Sequence, residues 1–402
     1  MQKGVNDVLI IVGVCLVYSL GLLFICRNKN RCWGSPPREV LQPIPQKYIE
    51  YKRELKKKKL AVDERAFEAS DKKLGRGAFG DVYFAKITIT SKLNPHFVET
   101  HPCALKCCKA SQTEAVKMLK EALNVSEMDH ENIVRLLAVT VSGTRPMLAL
   151  EYLSGGSLEK IFQDYRRMPQ ARRYKIPLSR IVRVMGQVAE ALRYMHEKDG
   201  KGFQHGDIAC RNVLSESLDL SDDNVKVKIG DFGLTTRSSS GFYAEHRPFP
   251  RQWSPPETLQ LEEAKFSLEA DVWAFGVFCW ECITLGAFPH YGKSPEKQHF
   301  DSLYSPLIGL HVPDYLLNSQ LVRLMSACWE SMAGRRPTFK ATATEGDDSG
   351  GKRTIPQLLN ETLNGLTQDP MKNVQLLPLR CDCYECRLSE SARLFNEQQQ
   401  PL

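Results

Sequence analysis

The distribution of hydrophobic and polar positions changes along the chain from a strand-like to a helix-like pattern. Apolar β-type runs lie at 82–90, 103–107 and 147–153, and a helical pattern at about 113–128 separates the last two. Further along, the apolar residues of 181–195 recur on one face of a helix, and those of 355–366 predict one more amphipathic helix. A strand-rich part followed by a helix-rich part predicts an α+β fold with two lobes.

One uncharged segment near the N-terminus has the length of a membrane-spanning helix. Residues 8–26 form a run of nineteen residues without a charge, and at ~1.5 Å per residue such a helix approaches the ~30 Å thickness of a bilayer's hydrocarbon layer. A signal peptide and a buried core helix are the alternative interpretations. Positive charge stays on the cytoplasmic side, so we expect the N-terminus outside and the bulk of the chain in the cytoplasm, at the plasma membrane.

Basic charge is concentrated directly after this run. Residues 27–59 hold eleven basic and three acidic residues, a net charge of +8 in a chain whose total is +7, so the rest is close to neutral. This distribution does not indicate a nucleic-acid-binding protein. The four lysines at 56–59 are interpreted either as a patch on anionic lipid or as a solvated charge cluster, and residues 8–59 are the segment expected to contact membrane lipid.

Composition divides the chain into segments. The low-complexity stretch at 341–353 predicts a disordered insertion. We therefore predict a short extracytoplasmic tail at 1–7, a transmembrane helix at 8–26, a basic juxtamembrane linker at 27–66, a globular domain at 67–368 and a C-terminal tail at 369–402.

The cysteines indicate a reducing compartment. There are thirteen, scattered and odd in number, which does not fit a disulfide framework. The cysteines at 381, 383 and 386 lack a fourth ligand for a closed zinc site, so no metal is expected there. Cys26 and Cys32 are either palmitoylated or ordinary thiols.

A glycine-rich stretch, LGRGAFGDVY at 74–83, predicts a phosphate-binding hairpin. Its glycines, Gly75, Gly77 and Gly80, allow the backbone to approach phosphates closely at dihedral angles that a Cβ would penalise. A dinucleotide-binding turn would be followed directly by a helix. Here β-type sequence continues through 90, so the dinucleotide interpretation is rejected.

Further motifs follow in a fixed order. They are CALK with Lys106, KEAL with Glu121 (whose rivals are Glu114 and Glu127), MLALEYLSGGSL at 147–158, HGDIACRN with Asp207 and Asn212, KIGDFG with Asp231, WSPPE at 253–257, DVWAFG at 271–276 and CWESMAGRRPTF at 328–339. A single one of these motifs is weak, but the ordered set resembles the protein kinase family over about residues 68–340.

The resemblance implies the two-lobe protein kinase fold, with a small β-rich N-lobe and a larger helical C-lobe, here with one N-terminal transmembrane helix. The globular domain at 67–368 is then a protein kinase domain. It implies ATP with Mg²⁺ or Mn²⁺, and an ion pair of Glu257 with Arg336 that anchors the activation segment. The resemblance implies that Asp207, Arg211 and Lys106 are catalytic and that Asn212 and Asp231 hold the metal. Leu150 would be the gatekeeper residue of the nucleotide pocket. The nucleotide-binding residues that it implies are Leu74, Gly75, Gly77, Gly80, Val82, Ala104, Lys106, Glu121, Glu151, Leu153 and Leu214.

The catalytic-loop motif resembles tyrosine kinases in particular. Ala209 stands where serine/threonine kinases typically have lysine, and Arg211 stands where tyrosine kinases have the arginine that helps to accept a phenol. We therefore expect a membrane-anchored tyrosine kinase acting on tyrosines of protein substrates. A catalytically impaired scaffold of the same fold and a serine/threonine or dual-specificity enzyme are the alternatives.

One motif position departs from the family. Gly206 replaces the arginine that binds phosphate on the activation segment, so activity is expected to depend weakly on phosphorylation of Tyr243. The glycine is also expected to add backbone freedom beside Asp207. Tyr48 and Tyr51 are interpreted either as docking sites for phosphotyrosine-binding adaptors or as ordinary linker tyrosines, and a homodimer is a further expected partner.

Overall fold

The structure, a computed structural model, divides into a sheet-rich lobe and a helical lobe. It describes residues 45–77, 80–90, 98–109, 111–141, 145–237, 243–244, 250–259, 264–265, 267–289, 310, 312–340 and 353–378.

The first lobe is built on a six-stranded sheet. Its strands are β1 (Ala61–Val62), β2 (Phe67–Gly77), β3 (Gly80–Thr90), β4 (Val98–Cys108), β5 (Leu136–Thr140) and β6 (Met147–Glu151), in the spatial order β1-β5-β6-β4-β3-β2. The β1–β5 pair is parallel, and the other pairs are antiparallel. β3 and β4 pair along their full length, from Gly80 opposite Cys108 to Thr90 opposite Val98. This long ladder fixes the position of the strand that carries Lys106.

A long helix packs on this sheet. Helix α2 (Gln112–Ser126) buries an apolar face that includes Met118, Leu119 and Ala122. The other face of the sheet covers a separate small cluster that includes Ile87, Leu105 and Ala149. The periodicity at 113–128 therefore predicted this helix within two residues at each end.

The second lobe is mainly helical. Its helices are α3 (Leu158–Arg167), α4 (Leu178–Glu197), α5 (Pro256–Leu259), α6 (Leu268–Ile283), α7 (Gln320–Cys328) and α8 (Ile355–Gln368). The short strands β7 (Gly156–Ser157), β9 (Val213–Ser215) and β10 (Val227–Ile229) form a three-stranded sheet, and β8 (Phe203–Gln204) with β11 (Thr236–Arg237), and β12 (Tyr243–Ala244) with β13 (Ala264–Lys265), form two pairs.

Helix α6 is the centre of the helical lobe. Fourteen of its residues are buried, and its N-terminus is capped by the Ser267 hydroxyl, which accepts a hydrogen bond from the Ala270 N–H. Helices α4 and α7 pack against it, and α8 packs against both α4 and α7. The apolar face predicted for 181–195 is the buried face of α4. The two-lobe prediction is confirmed.

An additional helix lies within the segment predicted as a linker. Helix α1 (Gln46–Lys57) packs against α2, and it buries Tyr48 and Leu55, which are 5% and 0% exposed. Tyr48, Tyr51 and Leu55 lie at helical spacing, so they share one face. Two lysines in the last turn, Lys56 and Lys57, suit the negative end of the helix dipole.

The transmembrane part of the fold prediction, and the membrane localisation that followed from it, are contradicted. Among the described residues, no helix combines the length and the apolar character that crossing a bilayer requires. The most apolar of the described helices, α6, has 16 residues and carries Glu269, Asp271 and Glu281. At ~1.5 Å per residue it is about 24 Å long, shorter than the ~30 Å hydrocarbon layer. The segment for which the transmembrane helix was predicted, 8–26, lies outside the described residues.

The packing of α1 predicts a stability effect. Leu55→Ala is expected to lower the free energy of unfolding by about 2–5 kcal/mol, because it removes a fully buried side chain. Ile49→Ala on the same helix is the matched control, since Ile49 is 41% exposed, and it should change stability by about 0.5 kcal/mol or less. Urea unfolding measures both, and equal effects of the two substitutions would show that α1 does not pack on α2.

Candidate active site

Three charged side chains from distant parts of the chain meet between the lobes. Nζ of Lys106 lies 2.7 and 2.9 Å from the two carboxylate oxygens of Glu121 and 3.1 Å from Oδ1 of Asp231. Lys106 and Glu121 are 3% and 2% exposed, whereas the Asp231 side chain is 32% exposed. Of the three glutamates considered from the sequence, Glu121 is the one that contacts the lysine.

The two lobes place these groups by ordinary strand and helix geometry. Side chains alternate along β4, so Lys106 and Cys108 point toward α2 while Leu105 and Cys107 belong to the cluster on the other face. Glu121 lies on the buried face of α2. Asp231 lies two residues after the end of β10, in a left-handed backbone conformation with φ 58°.

The three charged groups shift one another's pKa values. Burial by itself lowers the pKa of Lys106, but the carboxylates of Glu121 and Asp231 outweigh burial and raise the pKa above its ordinary value. Burial alone would raise the pKa of Asp231, but the Lys106 charge outweighs it and the pKa of Asp231 is lowered. Burial raises the pKa of Glu121, and Lys106 opposes that shift. The arrangement therefore presents a cation and a carboxylate side by side at neutral pH.

The HGDIACRN stretch forms a compact loop beside this cluster. The Asn212 amide nitrogen donates to the Asp207 carbonyl oxygen at 2.8 Å, and the Gly230 N–H donates to the Asn212 carbonyl oxygen at 2.8 Å. The Arg211 guanidinium contacts the Asp207 carboxylate. These contacts bring Asp207, Arg211 and Asn212 together next to the segment that carries Asp231.

Buried aromatic packing locks the position of the DFG segment. The rings of His205 and Phe232 lie 5.1 Å apart, edge to face, and a His205 ring nitrogen lies 3.1 Å from the Gly230 carbonyl oxygen. Phe232 is 2% exposed. With Phe232 packed inside, Asp231 faces Lys106.

The glycine-rich stretch is a hairpin, as its sequence predicted. β2 and β3 pair with Gly75 opposite Val82 and Gly77 opposite Gly80. A Cβ built on Gly80 would lie 1.8 Å from the Cys107 carbonyl oxygen, so β3 and β4 can approach here only because this residue is glycine. Leu74 is half-buried on β2.

The residues expected around adenine lie on neighbouring strands. Ala104 on β4 pairs with Leu150 on β6, Leu153 follows β6, and Leu214 lies on β9 in the second lobe. The Glu151 N–H donates to the Arg135 carbonyl oxygen at 2.9 Å. The N–H of Glu151 is therefore already paired within the first lobe.

The side chain of Glu151 has another role. Its carboxylate oxygens lie 2.8 and 3.0 Å from Nζ of Lys228 on β10. This ion pair ties the segment between the lobes to the second lobe instead of presenting the carboxylate to a ligand.

The expected ion pair under the activation segment is present. The two Arg336 terminal nitrogens donate to the Glu257 carboxylate at 2.6 and 2.9 Å, in a bidentate arrangement. The Arg336 side chain is fully buried. The ring of Trp273 lies beneath the guanidinium, with its centroid 5.0 Å away.

Sequence reasoning did not foresee two residues that hold the loop. Asp271 accepts hydrogen bonds from the His205 N–H at 2.7 Å and the Gly206 N–H at 2.8 Å. Glu281 accepts from Trp253 Nε1 and from the Cys210 N–H, both at 3.0 Å. The available signal was a pair of acidic residues inside the long apolar run of α6.

Gly206 adopts a conformation that a side chain would strain. Its φ is +81°, and a Cβ there would lie 3.2 Å from the Leu234 carbonyl oxygen and 3.3 Å from the Leu234 Cβ. Glycine is needed here because it can adopt this left-handed conformation. A hydrogen bond from the Gly206 N–H to Asp271 then fixes the backbone.

The fold and the site define the class: a two-lobed protein kinase with a glycine-rich hairpin, a lysine–glutamate pair and an aspartate-bearing loop. The chain matches the family described as protein tyrosine and serine/threonine kinase over residues 69–345. It belongs to this family.

Individual relatives agree with that membership. The chain is 34% identical to the Caenorhabditis elegans protein nipi-4 over 297 residues, which cover 71% of this chain and 72% of that protein. It is 32% identical over 273 residues to the protein sevenless of Drosophila virilis and 29% identical over 272 residues to the tyrosine-protein kinase Fer of Rattus norvegicus. Both matches cover 66% of this chain, but 10% of sevenless and 29% of Fer. The prediction of the tyrosine kinase group, and of an enzyme of that class, is confirmed.

The conformation of Gly206 predicts a second stability effect. Gly206→Ala is expected to lower the free energy of unfolding by about 1–2 kcal/mol, because an L-residue is strained at this φ. Gly186→Ala, within α4, is the control: no heavy atom lies within 4 Å of its added Cβ, and alanine in a helix should stabilise by about 0.5–1 kcal/mol. Urea unfolding compares them, and a stabilising effect at 206 would contradict the left-handed conformation.

Proposed function

We propose that this chain is an ATP-dependent tyrosine kinase that transfers the γ-phosphate to tyrosine hydroxyls of protein substrates, with Asp207 as the base. The observation that carries the proposal is the contact of Lys106 with both Glu121 and Asp231, residues 15 and 125 positions away in the chain. A buried cation is costly unless it is paired. Here its partners leave one carboxylate, Asp231, partly exposed toward the loop, as phosphate and metal binding require.

The proposed division of roles follows from position and charge. Lys106 would neutralise phosphate oxygens of ATP, with the hairpin at 74–83 covering the phosphates. Asp207 would accept the proton of the attacking phenol, since the Asn212 amide and Arg211 hold its backbone and its carboxylate in place. Positioning and charge stabilisation of this kind account for most of phosphoryl-transfer catalysis.

The donor set of the proposed metal site suits Mg²⁺ or Mn²⁺. Asp231 offers a carboxylate, and because the Asn212 amide nitrogen donates to Asp207, the amide oxygen is left as an acceptor. Among the described residues, no group of three or more His, Cys, Asp or Glu side chains could hold a metal ion. A site with one carboxylate and one amide matches Mg²⁺, which keeps waters and substrate phosphates as further ligands. When bound, the ion would neutralise charge on the phosphates.

The surroundings of Asp207 favour a tyrosyl rather than a seryl substrate. Ala209 is buried and leaves no lysine beside the base, while Arg211 lies over the Trp253 ring at 4.2 Å from its centroid. This pairing of a cation with an aromatic ring defines one wall beside Asp207. A phenol that reaches past this wall to the carboxylate is the acceptor that we propose.

Weak dependence on activation-loop phosphorylation is also proposed. Gly206 offers no charge to a phosphate, and its backbone is already held by Asp271. The Lys106–Glu121 pair is made within the first lobe and the Glu257–Arg336 pair within the second, and neither contact involves Tyr243. We therefore propose that these contacts do not require a phosphate on Tyr243.

Three partner interactions remain predictions: lipid contact by the basic segment, a homodimer, and docking of phosphotyrosine-binding adaptors. For the last, Tyr48 is a poor acceptor while α1 is packed, because it is 5% exposed, whereas Tyr51 is half-buried.

The proposed reaction predicts a catalytic loss on changing the base. Asp207→Asn should lower kcat on a tyrosine peptide by about 10²–10⁴-fold, because it removes the proton acceptor. Asp222→Asn, at an exposed aspartate in the connection between β9 and β10, is the control and should retain wild-type activity. Radiolabelled ATP with peptides that contain only tyrosine, only serine or only threonine measures transfer. Wild-type protein that binds Mg-ATP but labels no peptide would favour the scaffold alternative.

The proposed independence from phosphorylation predicts a small effect at Tyr243. Tyr243→Phe should lower kcat on a tyrosine peptide by less than about tenfold, since no arginine at 206 awaits a phosphate. Tyr315→Phe, at a residue 47% exposed in the second lobe, is the matched control. A collapse of about a hundredfold or more in the first variant alone would refute weak dependence.

A further inference from the structure

Helix α6 carries two buried carboxylates, and both are directed at the loop that holds Asp207. Fourteen of its 16 residues are buried, and the acidic ones among them are Asp271 and Glu281. Asp271 binds the start of the loop, at His205 and Gly206, and Glu281 binds its middle, at the Cys210 N–H. Burying a carboxylate is unfavourable unless hydrogen bonds compensate it. The two acids therefore have the loop as their common partner.

A second set of contacts links Glu281, through Trp253 and Arg211, to the carboxylate of Asp207. The same Glu281 oxygen that binds the Cys210 N–H accepts a hydrogen bond from Trp253 Nε1 at 3.0 Å. The Trp253 ring in turn lies against the Arg211 guanidinium, 4.2 Å from centroid to carbon, and Arg211 contacts Asp207. One carboxylate oxygen thus holds both the backbone of the loop and the ring on which Arg211 rests.

We propose that Glu281 is a positioning residue for tyrosine phosphorylation, which acts through Trp253 and Cys210 to fix Arg211 and Asp207 where a tyrosyl hydroxyl is received. The inference rests on the proposed function, because it names the group that shapes the acceptor side of that site. Because Glu281 is only 5% exposed, the role assigned to it is exerted through its neighbours rather than by contact with substrate or nucleotide. Its role is to fix the position of the Asp207 carboxylate relative to the wall that Arg211 and Trp253 form.

The electrostatic setting makes this support depend on pH. Several titratable or polar groups face the Glu281 carboxylate. They are Arg211 and Cys210 of the loop, Trp253, Glu159 of α3, and Cys282, which follows Glu281 in α6. Burial raises the pKa of Glu281 to about 7, while the two N–H donors and Arg211 oppose the shift and Glu159 adds to it. Above this pH the carboxylate is charged and its hydrogen bonds are strong; as pH falls through this value, protonation weakens them. Positioning should therefore improve as pH rises.

Hydrogen exchange tests the positioning role without requiring phosphotransfer. In Glu281→Gln, which keeps the shape but removes the charge, amides of 205–212 should exchange about tenfold faster than in wild type at about pH 8. Amides of α2 should be unchanged, since α2 lies in the other lobe. Glu190→Gln, at an acid of α4 whose side chain is 43% exposed, is the matched control and should leave both segments unchanged. Unchanged protection of 205–212 in Glu281→Gln would overturn the proposal.

Kinetics supply the second readout. Glu281→Gln should lower kcat on a tyrosine peptide by about tenfold at about pH 8, while the KM for Mg-ATP stays within about twofold, because Lys106, Glu121 and Asp231 lie outside this path. The decline of the wild-type kcat below about pH 7 should flatten in the variant. A parallel loss of ATP affinity, or an identical pH profile, would overturn the role. If wild-type protein transfers no phosphate, the proposed function fails, and hydrogen exchange still decides whether Glu281 positions the loop.

Discussion

The contact of Lys106 with Glu121 and Asp231 is the interaction on which the arrangement of the two lobes around the site depends. Each partner comes from a different element: a strand, a helix and the turn after β10. Charges of this kind are stable away from water only when they are paired with good geometry, so the strand, the helix and the turn must meet in one relation. The glycine-rich hairpin next to β4 and the loop next to Asp231 are then brought to the same cleft.

In the helical lobe, helix α6 supports the loop that carries Asp207. Helix α6 is apolar almost throughout, and its two buried carboxylates, Asp271 and Glu281, accept hydrogen bonds from backbone N–H groups of the loop with Asp207. Gly206 contributes to this support through its backbone alone. Its left-handed conformation directs its N–H toward Asp271. A site built in this way is set by packing of the lobe as much as by its reactive groups.

Much of the fold was readable from local patterns. The helical pattern at about 113–128 corresponds to α2 (Gln112–Ser126), the apolar run at 147–153 to β6 (Met147–Glu151), and the last periodic segment to α8 (Ile355–Gln368). Helix α1 was missed because its many charges resemble a solvated linker, and its few apolar residues are informative only once α2 is there to cover them. The transmembrane prediction used length and apolarity alone, and the helices of the described residues do not meet both conditions.

The sequence by itself determined the residue types of the site and their order, because chemistry such as phosphate binding next to a glycine hairpin requires particular groups at short, regular spacings. The tertiary structure alone decided which glutamate pairs with Lys106, that the Glu151 carboxylate binds Lys228, and that Asp271 and Glu281 hold the catalytic loop. These contacts join residues 15 to 77 positions apart. Side-chain periodicity reports only which face of an element is buried; which partner covers that face is set by the packing of the whole chain.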